Sequence, residues 1–268
     1  MIYIFVIKAD GAQEKFDERK IIRTCMRAGA SHETAKSIAM EIKQSIKNGA
    51  TTHEIYKMIL SLLRKSEKLP SFLFRLREAL SELDSVSFEI YVKKLLEAYG
   101  YRCKWDTIIK GNCVSHQVDI IAEKEGLFLV ECKHHMNHHR FCGLGDVLQV
   151  QARLEDINDG FRKKKNKYNF KKAWIITNTK FSDHAKKYAR GKGIILTGWG
   201  NRKSELEQMI KAQKAFPITL LTIDKRTKMQ LMNRKILTLQ DLLFSGKLIK
   251  KLKLESSIKQ VEVLLEKK

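Results

Sequence analysis

Near Ser85 the apolar pattern of the chain changes its period. Upstream, apolar residues recur at helical spacing. Downstream, short continuous apolar runs such as Ala173 to Thr177 alternate with amphipathic segments. Helical spacing lays one stripe of each helix on a core, whereas short apolar runs separated by helices are strands buried between helical layers. The change predicts two domains of different construction. A length of 268 residues accommodates them, at about 100–200 residues per domain.

The first domain is expected over residues 1–84. The apolar run Met1 to Ile7, the turn Ala9-Asp10-Gly11 and the return Glu14-Lys15-Phe16 predict a β-hairpin. Three helices follow between Asp17 and about Ser66. Asp17 caps the first and Gly29 ends it; Ser31 opens the second and Gly49 ends it; Thr51-Thr52-His53-Glu54 is a capping box for the third. Pro70 opens a fourth helix through about Leu83, with Phe72, Leu73, Leu76, Leu80 and Leu83 at helical spacing.

Residues 85–200 read as an α/β domain with a mixed sheet. Val86 to Tyr99 is a helix stopped by Gly100; Val118 to Ala122 and Leu127 to Cys132 are strands joined by a turn at Glu125-Gly126. Helix Gly145 to Asn158, strand Ala173 to Thr177, helix Ser182 to Arg190 and strand Ile194 to Thr197 complete it. Residues 201–268 form a small helical C-terminal region: a helix near Lys203 to Ala215, then short helices around Pro217, Thr238 to Leu243 and Ile258 to Leu265. The runs Phe216 to Leu221 and Ile236 to Leu243 fit either a helical hairpin that touches DNA backbone or a small bundle packed on the second domain or a partner subunit.

Lys and Arg number 52 against 30 acidic residues, a net charge of +22. Such an excess concentrates polyanions at the surface, and nucleic acid is the commonest cytoplasmic polyanion. The basic residues recur along the whole chain instead of lining one amphipathic helix, which argues against a membrane-surface role. No apolar run approaches a membrane span, and the first residues lack the basic leader and cleavage site of a signal peptide. Five scattered cysteines make no disulfide framework, so a reducing cytoplasm is expected. Lys163, Lys164, Lys165, Lys167, Lys171 and Lys172 interleave with Tyr168 and Phe170, a composition suited to phosphate contacts with stacking support.

The residues with the sharpest chemistry are Asp119 on one strand and Glu131-Cys132-Lys133 on the next. Side chains alternate faces along a strand, so Glu131 and Lys133 point one way and Cys132 the other. Two acids and a lysine on one spot suit phosphodiester hydrolysis. The carboxylates hold a hard divalent cation, which polarises the phosphoryl oxygen and acidifies a bound water, while the lysine orients that water. Glu89 in the preceding helix adds a carboxylate and Gln149 in the following helix orients water or substrate. The plainer reading of the same residues is an exposed strand pair with ordinary salt bridges.

The ordered set of Ser87-Phe88-Glu89-Ile90-Tyr91, Val118-Asp119-Ile120-Ile121-Ala122 and Leu129-Val130-Glu131-Cys132-Lys133-His134 resembles the PD-(D/E)xK nucleases. Among them it is similar to the Mrr-type restriction endonuclease domain, over about residues 85–200. The resemblance implies a restriction-endonuclease-like α/β/α fold and a DNA endonuclease dependent on Mg²⁺ or Mn²⁺. It makes Asp119, Glu131 and Lys133 catalytic, with Asp119 and Glu131 the metal ligands and Glu89 and Gln149 accessory. Val118 stands where the superfamily's name has proline.

Val6-Ile7-Lys8-Ala9-Asp10-Gly11, followed by Phe16-Asp17 and Lys20-Ile21, resembles the ATP-cone, the nucleotide-sensing domain of ribonucleotide reductases and their repressor, over about residues 2–84. It implies ATP or dATP as a regulatory ligand. Lys8 and Lys20 present ammonium groups to a triphosphate, and Val6 and Ile21 flank the adenine. Ala9 stands where that family usually has arginine.

Cys132, His134, His135, His138, His139 and Cys142 lie close in sequence but match no standard zinc spacing, and a polar DNA-facing loop is expected. His116 reads as a phosphate contact or a structural histidine, the structural role being expected, and Trp199 as a core residue. The expected function is metal-dependent hydrolysis of DNA in restriction, defence or repair, adjusted by ATP or dATP and performed by a dimer when both strands are cut. Two rivals keep much of this: a nucleotide-responsive DNA-binding regulator whose nuclease fold does not cut, and a structure-specific or RNA-directed nuclease.

Overall fold

The computed structural model describes residues 4–137, 139–200 and 206–266. His138 and the start of the helix expected near Lys203 lie outside the described residues. The chain divides into two compact units, Met1–Leu76 and Arg77–Lys268.

In the first unit, β1 (Phe5–Ile7) and β2 (Gln13–Lys15) pair antiparallel with Val6 opposite Glu14. Gly11, at φ 81°, makes the turn between them, a conformation that glycine adopts without steric cost. Helices α1 (Glu18–Arg27), α2 (His32–Ser45) and α3 (Thr52–Ser66) follow. Their first turns are capped by the side chains of Asp17, Ser31 and Thr51, and Glu54 completes the capping box at Thr51. A two-residue strand not foreseen from sequence, β3 (Ala50–Thr51), pairs parallel with β1. Val6, Ile21, Cys25, Ile38, Ile42 and Leu63 belong to one core.

The helix expected from Pro70 to Leu83 is two helices, α4 (Lys68–Phe74) and α5 (Leu76–Ser81). Between them Arg75 donates its N–H to Phe72 three residues back, which tightens the turn and breaks the ladder. Pro70 sits inside the first turn of α4, where its missing N–H has no intrahelical partner to lose.

The second unit continues with α6 (Ser85–Ala98), β4 (Arg102–Lys110), β5 (Ser115–Glu123), β6 (Leu127–Lys133), β7 (Phe141–Cys142), α7 (Leu144–Arg162), β8 (Phe170–Thr177), β9 (Lys180–Phe181), α8 (Asp183–Lys192) and β10 (Ile195–Thr197). Five strands form a mixed sheet in the order β10-β8-β6-β5-β4. The side from β10 to β6 is parallel and the side from β6 to β4 antiparallel. Strands β7 and β9 form a separate parallel pair. Val147, Val150 and Ile157 of α7 and Ala185 and Ala189 of α8 pack on one sheet face against Ile121, Leu129 and Ile175.

Helix α6 packs on β4, β5 and β6. Asp84 caps it, accepting the Ser87 N–H at 2.8 Å. It buries residues over most of its circumference, Phe88, Ile90, Tyr91, Val92, Leu95 and Leu96 among them, because the C-terminal region covers it as well. That region comprises α9 (Leu206–Ala212), α10 (Lys225–Asn233), α11 (Leu239–Leu243), α12 (Gly246–Lys251) and α13 (Glu255–Glu266). Tyr91 Oη donates to the Ala215 carbonyl at 2.7 Å, and Lys94 pairs with Asp241 at 2.9 Å. Pro217 bridges Thr238, so the segment that holds α10 is closed at its base just before α11 begins. The architecture is therefore α/β and α+β: a hairpin-plus-helices unit, and an α/β/α sandwich extended by small helices. No helix among the described residues is long and apolar enough to cross a membrane.

Candidate active site

The β5–β6 ladder runs from Glu123 opposite Leu127 to Ile120 opposite Val130. One residue further, where Asp119 meets Glu131, the two strands part. The Asp119 carboxylate fills the gap, its Oδ2 accepting the Cys132 N–H at 2.7 Å, while β6 stays paired with β8 as far as Lys133 opposite Thr177. The open corner between two strands thus carries both acids. Lys133 Nζ lies 3.0 Å from Glu131 Oε1, as two residues on one strand face must allow. Structure and alternation agree in bringing Asp119, Glu131 and Lys133 together.

Burial foremost, then the negative charge of Glu131, raises the Asp119 carboxyl to about 7. Burial opposes the charge of Lys133, but Glu131 outweighs it and holds the ammonium above its ordinary value. Glu131 is only 5% exposed. Its second oxygen, Oε2, is held by the guanidinium of Arg153 on α7. Arg153 was not anticipated from sequence. Its one signal is that it lies one helical turn after Gln149, so the two share a face of α7. Gln149 itself is exposed.

Two contacts lock the far end of α7 to the β4–β5 turn and so set where Arg153 lies. Asp156 accepts the Cys113 N–H at 2.8 Å and lies 2.7 Å from His116 Nε2, which gives His116 the structural role expected of it. Gly160 lets the helix approach: a Cβ there would lie 2.8 Å from the Gly111 carbonyl carbon. Glu89 accepts the indole N–H of Trp105 at 3.0 Å, and burial raises its carboxyl against that hydrogen bond. It stands on the other helical layer, beside the two-acid corner, and its charge is felt by Asp119.

Among the described residues no three His, Cys, Asp or Glu groups converge as a metal cluster. Mg²⁺ needs fewer: it takes one or two carboxylates and fills its shell with water and phosphate oxygens. Asp119 and Glu131 match that donor set. Burial first, and then the neighbouring acids, disfavour ionised Asp119, and a dication beside it would offset both. The cysteine- and histidine-rich loop behaves differently. His134 Nε2 lies 3.0 Å from the Leu80 carbonyl, Cys142 Sγ donates to Asp146, and the backbone of His135 is held by the Asn178 amide. The His134 ring and the Cys142 thiol are thus occupied by the fold, whereas His135 Nε2 is buried without a hydrogen-bond partner among the described residues.

In the first unit, Lys8 Nζ lies 2.6 Å from Glu14 Oε2, and Lys20 pairs with the other oxygen, Oε1. The two lysines thus converge on one carboxylate. Val6 and Ile21 are 7% and 5% exposed and lie in the core beneath.

The basic run keeps one of the two rings its composition offers for stacking. Phe170 is 3% exposed and belongs to the core; Tyr168 stacks on it and packs against the same core but stays half-buried, with Lys167 Nζ 5.8 Å from its ring centroid. Lys165 Nζ donates to the Asn112 carbonyl at 2.6 Å, tying the run to the β4–β5 turn. Trp199 is half-buried, with the Arg77 guanidinium 5.8 Å from its ring centroid.

Comparison with known proteins follows the same division. The restriction endonuclease (Mrr catalytic) family matches residues 80–201 and the ATP cone domain matches residues 4–73. An uncharacterized protein of Archaeoglobus fulgidus is 37% identical over 155 residues, which is 57% of this chain and 84% of the relative. The transcriptional repressor NrdR of Crocosphaera subtropica is 35% identical over 74 residues, 25% of this chain and 40% of the repressor. A crystal structure of a protein of unknown function superposes with a TM-score of 0.54 at 32% identity, covering 68% of this chain and 95% of that one. The chain belongs to the Mrr-type restriction endonuclease family and carries an ATP cone domain at its N-terminal end.

Proposed function

We propose that the chain is a metal-dependent endonuclease that hydrolyses DNA phosphodiester bonds under the control of ATP or dATP. The observation that carries this reading is the parting of β5 and β6 at Asp119 and Glu131, which puts two carboxylates and Lys133 on one open corner. Asp119 and Glu131 hold Mg²⁺ or Mn²⁺. When bound, the ion polarises a phosphoryl oxygen and acidifies a water. Lys133 orients the attacking water and offsets charge that develops on the phosphate. Gln149 lies on the α7 face shared with Arg153 and positions substrate or water; Glu89 supports the corner through Trp105. The net charge of +22 supplies the long-range attraction for DNA.

Residues 1–84 act as the nucleotide sensor, 85–200 as the cutting domain and 201–268 as a DNA-contacting or dimerisation module. In the sensor, Lys8 and Lys20 take the phosphates; Val6 and Ile21, expected from sequence to flank the adenine, lie in the core beneath and support the hairpin and helix that carry the lysines. We place the protein in the cytoplasm, as a dimer when both strands are cut, in restriction, defence or repair.

The test is incubation of the purified chain with supercoiled and linear DNA in Mg²⁺, Mn²⁺ or EDTA, with and without ATP or dATP, beside Lys133→Ala. Metal-dependent nicking lost in the variant is expected. A second reading, a nucleotide-responsive regulator that binds DNA without cutting, is favoured by the likeness of the first unit to a repressor. Binding without cutting on duplex, single-stranded and RNA substrates selects it; cutting of RNA or of branched DNA alone changes the substrate and keeps the site.

A further inference from the structure

Glu131 is both a proposed metal ligand and the most completely neutralised acid at the corner. Its side chain is 6% exposed, and each of its oxygens already faces a cation: Lys133 on Oε1 and Arg153 on Oε2. Arg153 also acts on the neighbouring acid, its charge stabilising ionised Asp119. A guanidinium that favours both carboxylates occupies, in electrostatic terms, the position a dication takes. An acid so buried does not shed a partner without a replacement, since an uncompensated buried charge is strongly unfavourable. A metal ion is such a replacement.

We infer that Arg153 is an internal counter-ion that holds the metal corner together before metal binds, then gives up Glu131 and turns to a phosphate oxygen of the bound strand. The inference rests on the nuclease reading above. Lys133 is less suited to the exchange, because its compact ammonium lacks the planar fork that pairs with carboxylate and phosphate in the same geometry. Arg153 comes from a separate layer. Its side chain is 24% exposed, so the guanidinium reaches solvent from where it sits. It lies on the α7 face that also carries exposed Gln149, and α7 is pinned at its far end by Asp156 and Gly160. The helix axis is therefore held while the long arginine side chain changes partners. Arginine suits both partners, because its planar fork matches carboxylate and phosphate alike.

Two affinities should then move in opposite directions when the guanidinium is removed. Arg153→Gln eliminates the competing cation, so Mn²⁺ binding to the full chain without DNA, read by calorimetry, should tighten at least about fivefold. DNA binding in Ca²⁺, read by fluorescence anisotropy, should weaken by about tenfold, as loss of a charged phosphate contact does. Arg153→Lys, which keeps the charge but not the fork, should leave Mn²⁺ affinity near wild type and recover part of the DNA affinity. It also serves as the reference if the glutamine variant folds poorly. A merely structural arginine gives a different pattern, in which metal and DNA affinity fall together. That pattern, or Mn²⁺ affinity unchanged in Arg153→Gln, overturns the inference while leaving the nuclease reading intact. Absence of Mn²⁺ binding in wild type and both variants overturns the two together.

Discussion

Asp119 accepts the backbone N–H of Cys132 at 2.7 Å, at the point where the β5–β6 ladder has ended and no main-chain carbonyl of β5 serves it. A side chain thereby does two jobs: it closes the hydrogen bonding where β5 and β6 part inside the sheet and places a carboxylate opposite Glu131. The arrangement comes with an electrostatic penalty, because the acid is buried beside another acid.

That penalty makes stability depend on pH in a defined direction. The folded chain holds the Asp119 proton up to about 7, whereas the unfolded chain releases it near the ordinary value of 3.8. Between those values the folded state binds more protons, so the stability of the metal-free protein falls as pH rises from about 4 to 7 and stays low above. Asp119→Asn keeps an acceptor for Cys132 without the charge. It should be more stable than wild type at pH 8 by about 2–4 kcal/mol, and the gain should vanish below pH 4. Urea denaturation at both pH values checks this; equal stability at pH 8 contradicts it.

Mg²⁺ should reverse the penalty. At saturating metal the melting temperature of wild type should rise by several degrees, while that of Asp119→Asn moves little, since a ligand stabilises only the state that binds it. Thermal melts with Mg²⁺ titrated against EDTA read the difference. An equal rise in both proteins places the metal elsewhere.

Lys133→Ala should lower the cleavage rate by about 10²–10⁴-fold, the range spanned when a group that positions or moves a proton is lost. DNA affinity in Ca²⁺ should change far less, because Lys133 is one charge among many. Single-turnover cleavage beside anisotropy separates the two, and a rate within a factor of a few of wild type removes Lys133 from the reaction.

Gly160→Ala tests the seat of α7. Its Cβ would meet Asn166 Nδ2 and the Gly111 carbonyl carbon, each at 2.8 Å, and the Asn112 nitrogen at 3.0 Å; the last two are backbone, so relief requires the helix or the turn to shift. A loss of about 1–3 kcal/mol is expected, accompanied by slower cleavage because Arg153 and Gln149 move with the helix. Full stability in urea means that the close approach is not needed.

In the first unit, Glu14 holds Lys8 and Lys20, the two lysines proposed to take the phosphates of a nucleotide. Glu14→Gln removes their competitor and should tighten ATP binding severalfold; Lys8→Ala should weaken it about tenfold. Calorimetry with ATP and dATP decides. Indifference of both variants ends the phosphate role of Lys8.

What the sequence determined by itself is whatever a few neighbouring residues can satisfy. Asp17, Ser31, Thr51 with Glu54, and Asp84 start helices because each accepts an N–H within three residues of itself. Glu131 and Lys133 share a face because strand alternation has a period of two, and Asp119 could be placed beside them because the turn at Glu125-Gly126 is short. The tertiary structure alone decided the partners that come from other layers. Arg153 meets Glu131 across 22 residues only because α7 folds over β6 and is pinned there. Lys165 is drawn to Asn112, Phe170 into the core and Tyr168 against it, by the same closure. The two-residue strands β3, β7 and β9 exist only because a neighbour accepts their hydrogen bonds. A cap or an alternation is an energy of adjacent atoms and can be read along the chain. A counter-ion is an energy of distance and burial, and neither has a value until the layers have closed.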